Sequence, residues 1–501
     1  MIRRNIAANV VGGGTAAVTA LLLIPIQLRQ LGVEAYGLIG FLASLQILFS
    51  LFDLGLSPAV TWYVARAGGD APRTARLVLA RLAPVYALIG AALGVALVLA
   101  APWLASEWLR LVDIPVDSAV ATIRLAGVAV MLRWPVSLLA GSLAGLQRFG
   151  RLNVSRGIHA LVNFTGAVVV LFVWHDIVVF AGWLVLSSVV ELSLYLIAVR
   201  AATRGDLPHA TRVEMNVLWR YAWTLAAISA LSLVLTQSDR VVLARLVTTA
   251  RLGEYAAAYN LLFGLTLIQL FVASAMYPAF ASDFAAVNLD RIRDRHYDAA
   301  QIIIFLYSLP FALLVIFGEP VLDVFLSREA AASTAPVMAL LAVGFLFNAL
   351  AAVPFSLAIA GGLSRVLIIV NSVSLAWYLP ALVIGVLTYG AAGAAAAWAA
   401  LNVWYLFAVI PIVQRRLLGG GTVPWVRSVF VPFPLIGLAL FGAARLIVGA
   451  RDPHDPALWL AIIVSTALYA IAGLRLLRPG LRASARRLFS RAAWTGPASL
   501  A

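Results

Sequence analysis

The chain has 501 residues, 63% hydrophobic and only 11% charged, with a mean hydropathy of +0.99 and a net charge of +15 at pH 7. Water-soluble domains carry roughly 25% charged residues, so this composition excludes a soluble protein and reads as a polytopic membrane protein. The absence of cysteine excludes disulfides and thiolate metal sites, and the histidines are scattered without ligand-like spacing, so neither a metal nor a cofactor is expected; a coupling H+ or Na+ is the one small species left open.

A membrane span needs about 20 predominantly apolar residues. Runs of that size recur at roughly 8–29, 37–60, 77–104, 120–146, 157–174, 177–199, 217–238, 255–281, 299–317, 335–360, 366–388, 392–413, 429–448 and 457–477, which predicts about fourteen transmembrane helices. Long unbroken runs point to an all-α polytopic fold, because barrel strands would alternate over segments of about ten residues. The first run follows MIRRN in the manner of a signal peptide, but its length and the lack of a small-residue cleavage site read as a retained helix.

The basic residues are all arginine. Most fall in alternate loops, among them Arg66, Arg73 and Arg76; Arg148, Arg151 and Arg156; Arg200 and Arg204; Arg291, Arg293 and Arg295; Arg415 and Arg416; and the tail from Arg478 onward. The positive-inside rule makes that side cytoplasmic, with both termini on it. The same placement accounts for the basic charge through topology and anionic membrane lipids, so no nucleic-acid partner is expected. The tail 478–501 reads as a basic interfacial segment.

Charged residues inside the spans are expensive and therefore informative. In chain order, Asp53 closes the second run within FSLFDLGLSP, where it reads as a gate or helix terminus paired with Arg66 or a neighbouring loop arginine, or as an ion-coupling site. Arg81 and Arg220 lie near the cytoplasmic surface, where they either bind substrate or snorkel to the headgroups. Arg29, Arg124, Arg240 and Arg245 lie toward the outer ends of their spans, where they either line an outer half-cleft or anchor at the interface. Arg133 sits near mid-membrane in the triplet RWP, at a cost of at least about 2.5–3.5 kcal/mol on insertion scales. It must face water, an anion or a buried acid such as Glu191. Glu191 is in turn either a proton or sodium site or a helix-to-helix partner, and Asp239, also a candidate for ion coupling or a gate, abuts Arg240 in what reads first as an internal salt bridge. The in-span amides Gln46, Asn163, Gln269, Asn348, Asn371 and Asn402, with Trp134, Trp223, Trp377 and Trp404, serve either sugar contacts or interhelical packing.

Two stretches repeat at nearly one spacing. LGVEAYGLIGFLASL resembles RLGEYAAAYNLLFGL, and AGLQRFGRLN from Ala144 resembles AGGLSRVLIIVN from Ala360. This predicts two six-helix lobes, 1–200 and 217–414, joined by a polar linker at 201–216 and followed by two extra helices over 429–477, with a central cleft between the lobes.

LLLIPIQLRQLGVEAYGLIGFLASLQILFSLFDLGLSPAV, with SDRVVLARL and LGEYAAAYNL, resembles the oligosaccharide flippases of the multidrug/oligosaccharidyl-lipid/polysaccharide exporter superfamily. The pattern falls on Gly32, Glu34, Tyr36, Gly37, Asp53 and Gly55, and in the second half on Asp239, Gly253 and Tyr255. The resemblance implies a bacterial inner-membrane carrier, not an enzyme. It would move an undecaprenyl-diphosphate-linked oligosaccharide from the cytoplasmic to the outer leaflet by alternating access, alongside the polymerase and glycosyltransferases of its pathway. In such a carrier the arginines would hold the diphosphate, and outward movement of a dianion would gain about 2.3 kcal/mol per charge per 100 mV. A drug or metabolite cation antiporter of the same superfamily is the nearest alternative. A polyprenyl-linked membrane glycosyltransferase or polymerase is the alternative of another class; its nearest paired acids would be Asp113 and Asp117.

Overall fold

A computed structural model of the chain describes residues 2–204, 214–449 and 455–483. Among the described residues there is no strand, as expected where every backbone group must be paired within its own segment. Packing groups the chain into two compact units, Met1–Asn260 with Leu382–Ala391, and Leu261–Ala381 with Ala392–Ala501. This grouping by contact is a different division from the two lobes inferred from internal similarity, and does not test them. Most of the expected linker, 205–213, lies outside the described residues, as does the tail beyond 483.

The first unit contains α1 (Ile2–Leu31), α2 (Val33–Phe49), α3 (Leu56–Arg66), α4 (Ala71–Trp103), α5 (Val116–Gly145), α6 (Phe149–Trp174), α7 (Ile177–Ala202), α8 (Met215–Leu246) and most of α9 (Thr249–Phe263). The run expected as one helix over 37–60 is broken. A 3-10 turn, Ser50–Asp53, leads into Leu54 (φ 49°) and Gly55 (φ 70°) before α3 begins. Two consecutive left-handed residues cannot continue a helix, and glycine adopts the second at no steric cost.

Three clusters hold this unit. Leu56, Val60 and Val64 of α3 pack with Val78, Leu82 and Tyr86 of α4, Trp134 and Leu138 of α5 and Leu218 of α8. Val136, Leu139 and Leu143 of α5 pack with Leu152 of α6 and with Tyr195 and Val199 of α7. Leu23 of α1 meets Ala167 and Leu171 of α6 and Phe180 of α7. At the arginine-bearing end, Arg76 donates to the carbonyl of Thr203, joining the start of α4 to the end of α7.

The second unit is built on α11 (Leu289–Asp323) and α12 (Arg328–Ala360), with α10 (Thr266–Ala285), α13 (Ser364–Ala408), α14 (Ile410–Leu418), α15 (Thr422–Trp425), α16 (Pro432–Val448) and α17 (Pro456–Leu476). The last two are pinned to α11. Tyr469 donates to the carbonyl of Phe305 (2.7 Å) and stacks on its ring, and Arg478 beyond α17 reaches Asp294 (2.7 Å) and Asp298 (2.9 Å). Their other faces, including Leu446, Ile447, Leu460 and Ile463, are exposed, as lipid-facing surface would be.

Twelve described stretches, rather than the expected fourteen, are long and apolar enough to cross a membrane. The runs expected at 366–388 and 392–413 merge into a single stretch, Ser364–Leu418. Its main helix α13 has 45 residues, about 68 Å at 1.5 Å per residue and twice the hydrocarbon thickness. Gly390, at φ 57° and ψ −134°, breaks it. The run expected at 217–238 is helical as part of α8 but is not among the twelve.

Candidate functional site

Two cavities among the described residues of the first unit lie at successive levels along α2 and α5. The larger, about 620 Å³, is lined by Gln46, Phe49, Ser50, Asp53, Gly55, Ser57 and Pro58 from α2, the following turn and α3, by Val130, Arg133, Trp134 and Ser137 of α5, and by Ser232 and Leu233 of α8. The smaller, about 170 Å³, is lined by Ile39, Leu42, Ala43 and Gln46 of α2, Thr122, Ala126, Ala129 and Arg133 of α5, and Phe180, Ala181, Leu184 and Ser188 of α7. Gln46 and Arg133 belong to both and form the partition.

Arg133 pairs with Glu191 and also lines both cavities. Its Nε donates to Glu191 Oε2 at 2.9 Å, while 45% of its side chain remains exposed and lines the two cavities. The contact is made through Nε, and the Nη groups, donors that match phosphate oxygens, are not used in it. Pro135 lies inside α5, which runs on across it as one helix. Glu191 is only 13% exposed, and its other oxygen faces His159 Nδ1 at 3.5 Å. His159 Nε2 lies 3.0 Å from Ser187 Oγ. A buried carboxylate is thus divided between an arginine of α5 and a histidine of α6.

Asp53 sits on the wall of the larger cavity at the head of α3. It accepts from the Ser57 backbone N–H (3.0 Å), the Ser57 hydroxyl (2.7 Å) and the Tyr86 hydroxyl (2.5 Å). The helix-terminus reading accounts for these bonds, since a carboxylate here satisfies an orphan N–H of the first turn. The arginine partner expected for it is not what holds it: Arg66 lies instead over the Trp62 ring.

The remaining candidate arginines are elsewhere. Arg240 is buried, donates to Asn260 Oδ1 (3.1 Å) and Ser44 Oγ (3.4 Å), and lies 4.2 Å from the centre of the Tyr259 ring. Asp239, fully buried, accepts from the Tyr255 hydroxyl (2.6 Å) and the Arg240 backbone N–H (2.9 Å), so the expected salt bridge between the neighbouring side chains is replaced by these bonds. Arg245 donates to the Glu107 carbonyl beside the Trp108 ring. Arg29, Arg81, Arg124 and Arg220 are exposed, and none lines either cavity. Of the in-span amides and tryptophans, Gln46 and Trp134 line the larger cavity. Asn348 donates to Asn402 (2.8 Å), Tyr405 to Asn371 (3.1 Å), and Trp377 packs on Trp404, all within the second unit.

The end of the first unit away from the cavities is closed. Glu34 is buried, and its carboxylate accepts the backbone N–H groups of Val112 (2.6 Å), Asp113 (2.6 Å) and Ile114 (2.9 Å), folding the loop between α4 and α5 onto α2. The Thr249 N–H donates to the Arg110 carbonyl (2.9 Å). Gly37 and Gly253 bring α2 and α9 into backbone contact, for a Cβ on Gly37 would lie 2.1 Å from the Thr249 carbonyl oxygen and one on Gly253 2.0 Å from that of Val33. The residues that carry the internal repeat therefore touch one another. Asn260, which binds Arg240, also donates to the Tyr36 hydroxyl (2.8 Å).

Sequence reasoning did not single out His159, Ser187, Tyr86 or the role of Glu34. The available signal for the first was that it is an in-span histidine in a protein with few in-span acids, and for Glu34 that a carboxylate opens an apolar helix.

A sequence model described as polysaccharide biosynthesis protein matches residues 2–284. A putative O-antigen transporter of Shigella flexneri is 21% identical over 402 residues, covering 79% of this chain and 94% of that protein. Among solved structures, an inward-facing multidrug resistance MATE family transporter of the MOP superfamily aligns with TM-score 0.68 at 13% identity, covering 81% of this chain and 95% of that one. The lipid II flippase MurJ in an inward closed conformation aligns with TM-score 0.68 at 12% identity, covering 93% and 99%. At these identities the structural likenesses show the fold.

Proposed function

The chain belongs to the polysaccharide biosynthesis protein family, and from that premise we propose that it is a flippase. It carries an undecaprenyl-diphosphate-linked oligosaccharide from the cytoplasmic to the periplasmic leaflet of a bacterial inner membrane, by alternating access, for cell-surface polysaccharide assembly. Its arginine-rich ends face the cytoplasm under the positive-inside rule. The relative named as a putative O-antigen transporter and the fold shared with a lipid II flippase support this substrate class.

The observation that carries the reading is Arg133, a half-exposed guanidinium lining a cavity of about 620 Å³ while anchored through Nε alone. That volume is in the range of ligand pockets. A diphosphate entering it meets the Nη donors of Arg133. Sugar hydroxyls meet Gln46, Ser50, Ser137 and Ser232, with Trp134 as an apolar wall, and the polyprenyl chain stays in lipid.

A drug or metabolite cation antiporter, the nearest alternative, would need an available carboxylate in the cavity. Asp53 already accepts three hydrogen bonds, and Arg133 repels cations. Relatives named as transporters also set the glycosyltransferase alternative aside.

Cells lacking the protein should accumulate lipid-linked oligosaccharide in the cytoplasmic leaflet, and Arg133→Ala should fail to relieve it at normal membrane abundance. Full export by that variant would overturn the assignment of the headgroup to Arg133.

A further inference from the structure

Arg133 cannot turn wholly to a headgroup without cost, because Glu191 would be left a buried, unpaired carboxylate. We infer that His159 resolves this by taking up a proton as an anionic phosphate-bearing headgroup binds, so that proton and headgroup favour one another's binding at this site. The inference rests on the flippase reading for the identity of the anion.

The geometry suits both protonation states of the ring. Neutral, with its proton on Nδ1, His159 points that N–H toward Glu191 Oε1 at 3.5 Å and accepts from the Ser187 hydroxyl at Nε2, 3.0 Å away. Protonated, it donates from Nε2, and the hydroxyl rotates to accept. Neither state orphans a buried polar group, so the ring changes charge without breaking a contact. Ser187 and Glu191 are one turn apart on α7 and hold the ring from one helix face.

The charge balance gives the sign. With His159 neutral, Arg133 and Glu191 cancel; adding a proton to an empty site leaves one uncompensated positive charge in a low-dielectric interior. Adding it beside a bound dianion offsets negative charge instead. It also gives Glu191 a second cation, freeing Arg133 to be shared. Mutual preference follows from linkage.

The charged groups acting on the ring are Glu191 and Arg133. On its own helix, Arg156 is bonded to Tyr195 of α7. Helix α1, also packed on α6, carries Arg3 and Arg4 in its first turn and Arg29 in its last. Helix α5 also carries Asp117 and Arg124, and α7 carries Tyr195 and Arg200.

The test is calorimetric binding of undecaprenyl diphosphate to the purified full chain in detergent, in buffers of different ionisation enthalpy between pH 6 and 8. The wild type should take up more protons per ligand than His159→Gln, and the affinity ratio of wild type to variant should rise toward pH 6 by about five- to 150-fold, the usual span of coupled sites. Comparing the two proteins cancels ionisation of the ligand itself. Equal proton uptake and a flat ratio would overturn the inference. Should His159→Gln fold poorly, Ser187→Ala keeps the ring but removes the group that serves both states, and should also reduce uptake; unchanged uptake there and no ligand-induced change in the ¹⁵N shifts of His159 in the wild type would likewise sink it. Binding that is indifferent to Arg133→Ala would instead defeat the flippase site, whereas Arg133-dependent binding without proton linkage defeats the role of His159 alone.

Discussion

The two ends of the first unit are built from similar residue types used in opposite ways. At one end the buried acid Glu34 is saturated by three backbone N–H groups, Arg240 is spent on Ser44, Asn260 and Tyr259, and Gly37 and Gly253 press two helices together. At the other, helix α2 breaks after Phe49, and Arg133 holds its acid by one edge and shows the rest to a cavity. The lesson is that a charge inside a membrane protein becomes structural when protein encloses it, as it does Arg240, and remains able to act where part of it faces a cavity, as Arg133 does.

The contrast can be broken most severely at Arg133. Arg133→Ala should weaken binding of undecaprenyl diphosphate by at least about 30-fold, from a loss of about 2 kcal/mol or more for a desolvated charge-assisted contact; Arg133→Lys, a point charge without the paired fork, should fall between. Affinity unchanged in both would mean that this exposed edge faces no ligand.

Next comes the closed end. Since the chain has no cysteine, Ser44→Cys, at a fully buried position, introduces a single thiol whose reaction with a membrane-impermeant maleimide reports opening. Adding Gly253→Ala forces a methyl into the Val33 carbonyl, an overpacking of about 1–3 kcal/mol, and should raise labelling about tenfold. A rate equal to that of the parent would show that the glycine contact does not hold the end shut. Glu34→Gln keeps the shape but replaces a carboxylate with an amide that can accept less, and should raise labelling about two- to fivefold from the loss of charge-assisted bonds; no change would mean the loop is held by Thr249 and Arg245 alone.

The smallest effect is expected at Asp53. Asp53→Asn retains one acceptor oxygen but sets an amide N–H against the donors of Ser57, costing about 1 kcal/mol at the head of α3. Export should drop by less than tenfold at normal abundance. Complete loss would instead assign Asp53 to ion coupling.

The sequence made part of this legible. Long apolar runs announced the helices, and a lone arginine near mid-membrane with a lone in-span glutamate announced that the two needed partners, because burial leaves such groups few alternatives. The break after Phe49 was hidden, since Leu54 in a left-handed conformation has no hydropathic signature. Arg240 and Arg133 could not be told apart: what separates them is Ser44 and Asn260, distant in sequence from Arg240, closing around the first. His159 gave no local pattern either, as its partners lie on another helix, α7.

The shared wall between the stacked cavities has a consequence for selectivity. A cargo that moves from one chamber to the next must pass the same guanidinium in both, so discrimination would act on the phosphates beside the lipid, while the distal sugars meet only scattered hydroxyls and an amide. Such a gatepost is strict about anionic linkage and tolerant of glycan sequence, which would let one protein survive changes in the sugars its cell assembles.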